Sequence, residues 1–460
     1  MSDRPIMSYL THPLEQKGFP SGLPFIVGNE AAERFSFYGM RTILVVFMTQ
    51  YMMGSNGQLD VMSDADAKGW YHLFVSAVSF TPVIGAVMAD IWLGKYRTII
   101  LLSLVYCAGH LTLALDDTRF GLALGLGLIA MGAGGIKPCV SAHLGDQFGN
   151  TNKGLIGSAF GWFYMSINIG AFFSTLMTPW LLQQYGPAWA FGVPGILMGL
   201  ATLMFWTGRY RFVHIPAAGT AFMKEAFSNT GLRTFGRLLV IYIFVAVFWA
   251  LFDQTGSSWV LQAKDMDRHL LGMEILPSQI QAANPLLVVV LIPVFSFWVY
   301  PMLAKVMHLT PVRKIAIGMA AAALAFSIIA FAQQQIDAGH TPGIGWQLLS
   351  YFILTCAEVM VSITALEYSY TQAPRTMKSF IMAFFMLSVS LGNIFTSAVN
   401  FFIQGDDGSV MLEGAEYFWF FTLLMGVAAL IFGLLTPLFR DSMILQTKPN
   451  VSRRGAETQR

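Results

Sequence analysis

The sequence predicts an all-α membrane protein of twelve transmembrane helices arranged as two six-helix bundles. Three observations predict it. Apolar runs of about 20 residues, long enough to cross the hydrocarbon core of a bilayer as a helix, recur along the whole chain. Of its 460 residues, 55% are hydrophobic and only 11% are charged, outside the range of soluble domains. The basic residues fall almost entirely on alternate loops.

Hydropathy places the spans at 24–53, 69–89, 98–115, 120–144, 155–182, 189–207, 237–262, 280–304, 314–332, 346–372, 379–403 and 416–439. The first 23 residues carry Asp3, Arg4, Glu15 and Lys17 and lack the hydrophobic centre of a signal peptide, so the amino terminus is expected to be retained. The longest polar interruption, 208–236, divides the spans into six and six. The expected organisation is therefore a bundle over 1–207, a cytoplasmic linker over 208–236, a second bundle over 237–439 and a cytoplasmic tail over 440–460.

Orientation follows from the positive-inside rule. With both termini cytoplasmic, twenty of the 27 Lys and Arg lie on the cytoplasmic side and four, Lys68, Arg119, Lys264 and Arg268, on the outer side. Only Arg34, Arg41 and Lys137 remain inside spans. The formal charge of +2 averages a basic inner face with a neutral outer one, and no nucleic-acid partner is expected. Cys107, Cys139 and Cys356 are dispersed within spans without ligand spacing and are read as packing residues; no metal centre is expected. The "GAGG" at 132–135 follows no strand and is not a nucleotide loop.

Charges inside the spans mark the candidate site, because lipid leaves them unpaired. In "GNEAAERFSFYGMR" at 28–41, Glu30, Arg34, Tyr38 and Arg41 recur at steps of four, four and three and share one helical stripe, with Glu33 on its flank. Lys137 in the fourth span lies about 10 Å from the cytoplasmic end, as deep as Glu33 does from its own end. Two acids and three bases at similar depth form an ion cluster open to an anion or a change of protonation. Glu358 lies mid-span in the tenth helix. Glu367, nine residues later, is 2.5 ideal turns away and faces oppositely. Asp253 and His72 share an outer level, where a carboxylate and an imidazole can exchange a proton near neutral pH. His110, alone in the third span, and His143 are read as packing or interfacial residues. Tyr164 and Asn168, four apart, face one way; Asn284 precedes a helix-loosening Pro285. Tyr38, Tyr164 and Trp259 are the aromatics expected to line a cavity. The Gly121/Gly125 and Gly195/Gly199 pairs suit close helix packing.

Gly85, Asp90, Gly94, Lys95 and Arg97 in "GAVMADIWLGKYR" resemble the loop motif of the major facilitator superfamily. That resemblance implies the major facilitator fold and a cytoplasmic latch made by Asp90, Lys95 and Arg97. "EAAER", "GGIKPCVSAHLGDQF", "FYMSINIGAFFSTLMTPW", "FWALFDQTGSSW" and "SITALEYSYTQAP", in order across both halves, then resemble the proton-coupled oligopeptide transporters within that superfamily. The resemblance implies proton coupling through Glu30, Glu33, Arg34 and Lys137, with His72 and Asp253 at an outer gate. It implies a peptide carboxylate held by Arg34, Arg41 and Lys137, a peptide amine held by Glu358, and backbone contacts from Asn168 and Asn284. Arg237 also matches a family position, but sixteen residues of helix set it about 24 Å from Asp253. The chain departs from the family in its short 208–236 and 333–345 segments and in "HLGDQF".

The expected function is import of di- and tripeptides with protons across the cytoplasmic (inner) membrane of a bacterium by alternating access, as a monomer, without a cofactor beyond the proton. A family member carrying nitrate or another small anion is the alternative, disfavoured by an acid at Glu358. An intramembrane hydrolase finds no HExxH, paired catalytic aspartates or Ser/His arrangement, and no catalytic residues are expected. No appended domain supports a sensor.

Overall fold

The computed structural model describes residues 9–217, 219, 229–372, 378–403 and 411–439. Twelve long helical units follow in chain order. They are α1 (Leu23–Gln50), α2 (Asp64–Leu93), α3 (Lys95–Leu115), α4 (Arg119–Asp146), α5 (Ile156–Tyr185) and α6 (Pro187–Thr207). There follow α7 (Asn229–Phe252, Asp253–Gly256 and Ser258–Ala263), α8 (Pro277–Val306), α9 (Pro311–Asp337), α10 (Gly345–Glu358, Val359–Ile363 and Thr364–Gln372), α11 (Lys378–Phe402) and α12 (Gly414–Leu435). The expected tail at 440–460 and residues 218 and 220–228 of the expected linker lie outside the described residues, as do the side chains of Arg237 and Lys378.

Local chemistry starts and stops these helices. Ser63 and Thr118 accept hydrogen bonds from the first-turn N–H groups of α2 and α4, and Thr310 does the same for α9 ahead of Pro311. Gly186, at φ 79°, ends α5, and Pro187 begins α6. Between α7 and α8 a two-stranded hairpin, β1 (His269–Leu270) and β2 (Met273–Glu274), turns through Leu271 and Gly272 at positive φ. Hydropathy did not signal it.

Eleven of the twelve units are long and apolar enough to cross a bilayer. The exception is α1, where every eighteen-residue stretch holds at least three of Glu30, Glu33, Arg34 and Arg41. All four of those side chains are buried or half-buried in protein. The buried apolar side chains form two large clusters, one from Leu23 to Phe212 with Leu261, the other from Leu238 to Phe432. The halves meet chiefly where α2 packs on α11 and α5 on α8.

Four units are irregular. The last turn of α2 (Met88–Leu93), the middle of α8 (Phe295–Val299) and the middle of α10 (Val359–Ile363) widen to π-helix, and α7 tightens to a 3₁₀ turn at Asp253–Gly256. Such breaks re-aim side chains, and here they begin beside Asp90, Glu358 and Asp253.

Close helix approach depends on one glycine of the loop motif. A Cβ on Gly85 would stand 2.1 Å from the Gly135 carbonyl oxygen of α4, backbone that cannot swing aside. Gly195 is similarly tight against His110 Cβ at 2.7 Å, whereas Gly199 has no heavy atom within 4 Å and takes no part in packing. Gly85→Ala is therefore expected to lower the melting temperature in detergent, at a cost of about 1–3 kcal/mol, while Gly199→Ala leaves it unchanged. Equal melting of the two variants would refute the α2–α4 contact.

Candidate functional site

A cavity of about 1140 Å³, counting the part open to solvent, lies between the two halves. Tyr38 and Arg41 from α1 and Tyr164 and Asn168 from α5 form one wall; Asn284 of α8 and Glu358 of α10 stand on the other. Asn284 Nδ2 donates to Glu358 Oε2 at 2.7 Å and to Thr355 Oγ1 at 3.2 Å, which fixes the carboxylate at the cavity wall just before the π segment. Asn168 Nδ2 is turned back to the Tyr164 carbonyl at 2.9 Å. Trp259 is not a lining residue. Its ring is fully buried against Phe326 and Tyr351, because the 3₁₀ turn redirects the end of α7 into the second core.

Arg41 leaves the ion cluster to which its sequence stripe assigned it. Its Nη2 donates to Asp253 Oδ1 at 2.5 Å and its Nε to the Tyr71 hydroxyl at 2.7 Å, joining the two halves. Asp253 Oδ2 accepts from Asn393 Nδ2 at 2.7 Å, and Asn393 Oδ1 meets His72 Nδ1 at 2.7 Å. An amide oxygen only accepts, so His72 carries its proton on Nδ1 and presents Nε2 to Ser257 Oγ at 2.9 Å. Asp253 and His72 are thus not direct partners as the sequence suggested; Asn393 stands between them. Further bonds cross the seam at this end, carrying the α1–α2 loop: Ser76 to Ser390, Ser397 to the Gly69 carbonyl, Lys264 to Thr49 and Gln279 to the Leu176 carbonyl.

The remaining cluster lies deeper in the first half. Arg34 Nε donates to Glu30 Oε1 at 2.7 Å; it is equally close to Glu33 Oε2, but the N–H is not directed there. Lys137 has no ion pair among the described residues, and its Nζ sits 4.4 Å above the Phe37 ring. Glu30, Glu33, Arg34 and Lys137 are not among the cavity-lining residues; Tyr38, within electrostatic reach of Arg34, Arg41 and Glu358, stands between cluster and cavity. At the expected latch, Lys95 Nζ pairs with Asp146 of α4 at 2.6 Å, and Asp90 lies within electrostatic reach of both.

The profile of the POT family matches residues 96–236 and 228–419, more than half of the chain. The chain belongs to the POT family. Solute carrier family 15 member 2 of Homo sapiens is 36% identical over 402 residues, covering 76% of this POT-family chain and 54% of the human protein. The chain thus spans about half the length of the curated relatives it matches. The crystal structure of an auto-inhibited POT family peptide transporter is 36% identical and superposes with a TM-score of 0.83 over 93% of this chain and 99% of that one. A peptide transporter POT in complex with alafosfalin is 25% identical, with a TM-score of 0.78 over 92% and 96% of the two chains. The fold of this multi-pass membrane chain is accordingly the twelve-helix POT fold.

Asn393, Ser257, Tyr71 and Asp146 are polar partners that charge scanning of the spans overlooked. Asn393 and Ser257 are neutral residues in apolar runs, and only a search for amides within spans flags Asn393.

Proposed function

We propose that this chain is a proton-coupled symporter that imports di- and tripeptides across a cytoplasmic membrane, with both termini cytoplasmic and the α1–α2 end outside. A Drosophila melanogaster relative is a peptide transporter by name, as is the auto-inhibited POT neighbour, and another POT neighbour holds alafosfalin. The observation that carries the reading is the cavity itself, with a fixed carboxylate at Glu358 on one half and the Arg41 guanidinium on the other, the Arg34–Lys137 cluster lying deeper behind Tyr38.

A short peptide always offers an amine and a carboxylate one or two residue steps apart, at about 3.3–3.6 Å each, whatever its side chains. Glu358, held by Asn284, takes the amine. Lys137, without an ion pair, and Arg34, released from Glu30 or Glu33 when one is protonated, take the carboxylate. Tyr38, Tyr164, Asn168 and Asn284 contact the peptide between its ends. The Arg41–Asp253 and Asn393–His72 bonds hold the outer gate shut in this conformation, leaving access from the cytoplasmic side. The two six-helix halves rock about the site as units. Asp90, Lys95 and Arg97 act when the inner side closes.

Energy comes from the proton. One charge falling through 100 mV releases about 2.3 kcal/mol, and each tenfold proton gradient about 1.4 kcal/mol more, enough to hold a peptide ratio of several hundred.

Uptake of labelled dialanine into proteoliposomes tests the reading. Accumulation is expected only with an inward proton gradient or an inside-negative potential; uptake indifferent to both refutes symport, and competition by nitrate would favour an anion carrier. Glu358→Gln keeps the acceptor for Asn284 and removes the charge. Peptide affinity is expected to fall about 10- to 100-fold, the worth of a charged hydrogen bond of about 1.5–3 kcal/mol. Unchanged affinity would assign the amine elsewhere.

A further inference from the structure

Besides His143 Nε2, five buried side-chain atoms of the first half lack a directed hydrogen bond among the described residues, and they fall on two facing stripes. On α1 they are both polar atoms of Asn29 and both carboxylate oxygens of Glu33, one of which is ion-paired with Arg34; on α3 it is Ser103 Oγ, one turn from the Tyr106 hydroxyl, which bonds Ser36. All four residues are at most 1% exposed. Asn29, Glu33 and Ser36 recur at steps of four and three along α1, and Ser103, Tyr106 and His110 at steps of three and four along α3. Ser36 Oγ bonds His110 Nε2 at 2.9 Å and so fixes the register. Seven residues back on each helix, Asn29 stands level with Ser103. Between these levels the Tyr106 hydroxyl lies within electrostatic reach of Glu33. The two helices face each other across the bundle interior, with α4 and α6 packed on both.

Left dry, these atoms would together be costly, since each buried group without a partner keeps its full desolvation penalty. Water satisfies buried polar groups of this density, and a seam with donors and acceptors on both walls offers each water several partners. The seam is separate from the peptide cavity, since none of its residues lines that cavity. Its Glu33 is the cluster carboxylate to which the Arg34 N–H is not directed. The charged and titratable groups facing Glu33 are Glu30, Arg34 and Tyr38 on α1, Lys137 on α4 and Tyr106 on α3. At the other end of the seam, His110 Nδ1 faces the Phe191 carbonyl, while Ser36 can turn its hydroxyl to His110 or to the Pro194 carbonyl. That imidazole therefore fits the seam in either protonation state.

We propose that a hydrated polar seam between α1 and α3, from Glu33 past Tyr106 to Asn29 and Ser103, carries the coupling proton toward the cytoplasm, apart from the peptide. The inference rests on the transport reading above. In the step, the Glu33 O–H bond breaks and an O–H bond forms on the adjacent water. Glu33 is left anionic beside Arg34, and the excess proton moves along the seam. Ile26 and Ile99, one turn nearer the cytoplasmic end on the same stripes and fully buried, form an apolar plug that keeps the seam from leaking. Peptide and proton thereby leave by different doors.

Counterflow separates the steps, because exchange of labelled for unlabelled peptide returns a loaded carrier and requires no proton release. Wild type, Tyr106→Phe and Asn29→Leu are reconstituted, and gradient-driven dialanine uptake, dialanine counterflow and melting temperature are measured for each. Tyr106→Phe keeps the ring and so remains decisive where Asn29→Leu does not fold. The expected result is driven uptake lowered about tenfold or more in Tyr106→Phe, with counterflow retained. Driven uptake unchanged alongside a raised melting temperature means a dry, strained seam and overturns the proposal. Equal loss of driven uptake and counterflow in a folded variant overturns it too. A wild-type chain that fails to accumulate dialanine overturns the transport reading and this inference with it; accumulation by wild type with unaffected variants overturns this inference alone.

Discussion

Asp253→Asn is expected to open the outer gate and abolish driven uptake. The substitution preserves shape but leaves the half-buried Arg41 guanidinium facing a neutral amide, with only the Tyr71 hydroxyl as its other partner. Removing one member of a buried ion pair costs about 3–5 kcal/mol, because the other charge stays behind without compensation. Opening the gate lets Arg41 reach water, so that cost falls on the closed state alone. The closed-to-open equilibrium then shifts several-hundredfold. The loss spreads along the seam, since Asn393 donates to Asp253 with the same amide whose oxygen orients His72. An impermeant maleimide reading Ser397→Cys, in a background lacking Cys107, Cys139 and Cys356, measures the opening, because Ser397 bonds Gly69 across the closed seam. Labelling should accelerate strongly in Asp253→Asn; an unchanged rate would mean that the Arg41–Asp253 pair does not hold the gate.

The outer loops contain a second acid–base pair that does not behave this way. Asp60 accepts two hydrogen bonds from Arg119, and these hold its carboxyl below the usual range, yet both groups are exposed. A depressed pKa gives stability that is present above the ordinary carboxylate value and lost only as pH falls through the lower, folded one. Asp60→Asn should therefore leave the external pH profile of uptake between about pH 5 and 8 in place. A shifted profile would place a proton sensor in the loop.

The helices were legible because a bilayer tolerates few solutions. Span length, loop charge and the scarcity of ionisable residues each point to the same twelve units, and most predicted edges fall within a few residues of the observed ones. Composition also marked Glu358, Asp253, Arg34 and Lys137, since a charge in an apolar run has few reasons to be there. What the sequence hid was partnership. Ideal 3.6-residue periodicity put Arg41 in one cluster with Arg34, but side-chain reach gave it to Asp253 across the seam. The 3₁₀ segment, which leaves no hydropathy signal, turned Trp259 away from the cavity it was expected to line. Neutral bridges such as Asn393 and Ser257 carry no charge to betray them, and His110, read as a packing residue, proved to be tied to Ser36 across the bundle.

Glu33→Gln is expected to uncouple transport while leaving the carrier able to exchange peptide. Arg34 gives its directed N–H to Glu30, so Glu33 is stabilised by nearby charge rather than by a hydrogen bond of its own. It can therefore take a proton without breaking a hydrogen bond, and in doing so removes one of the two anions beside Arg34, leaving that guanidinium with more positive charge to offer the peptide carboxylate. The substituted amide keeps the volume but fixes that condition permanently, with no proton to give up on the inner side. Peptide binding should survive, and counterflow with it. Accumulation should fall from a ratio of several hundred toward one, since no ion then moves with the peptide. Glu30→Gln makes the contrasting case, because it removes the acceptor of the directed bond; Arg34 can then turn to Glu33, which still titrates. Coupling should weaken in that variant but persist. The two are read side by side as the steady-state dialanine ratio under a fixed proton gradient and potential. Concentrative uptake by Glu33→Gln, or loss of accumulation in Glu30→Gln alone, would transfer the coupling proton from Glu33 to Glu30.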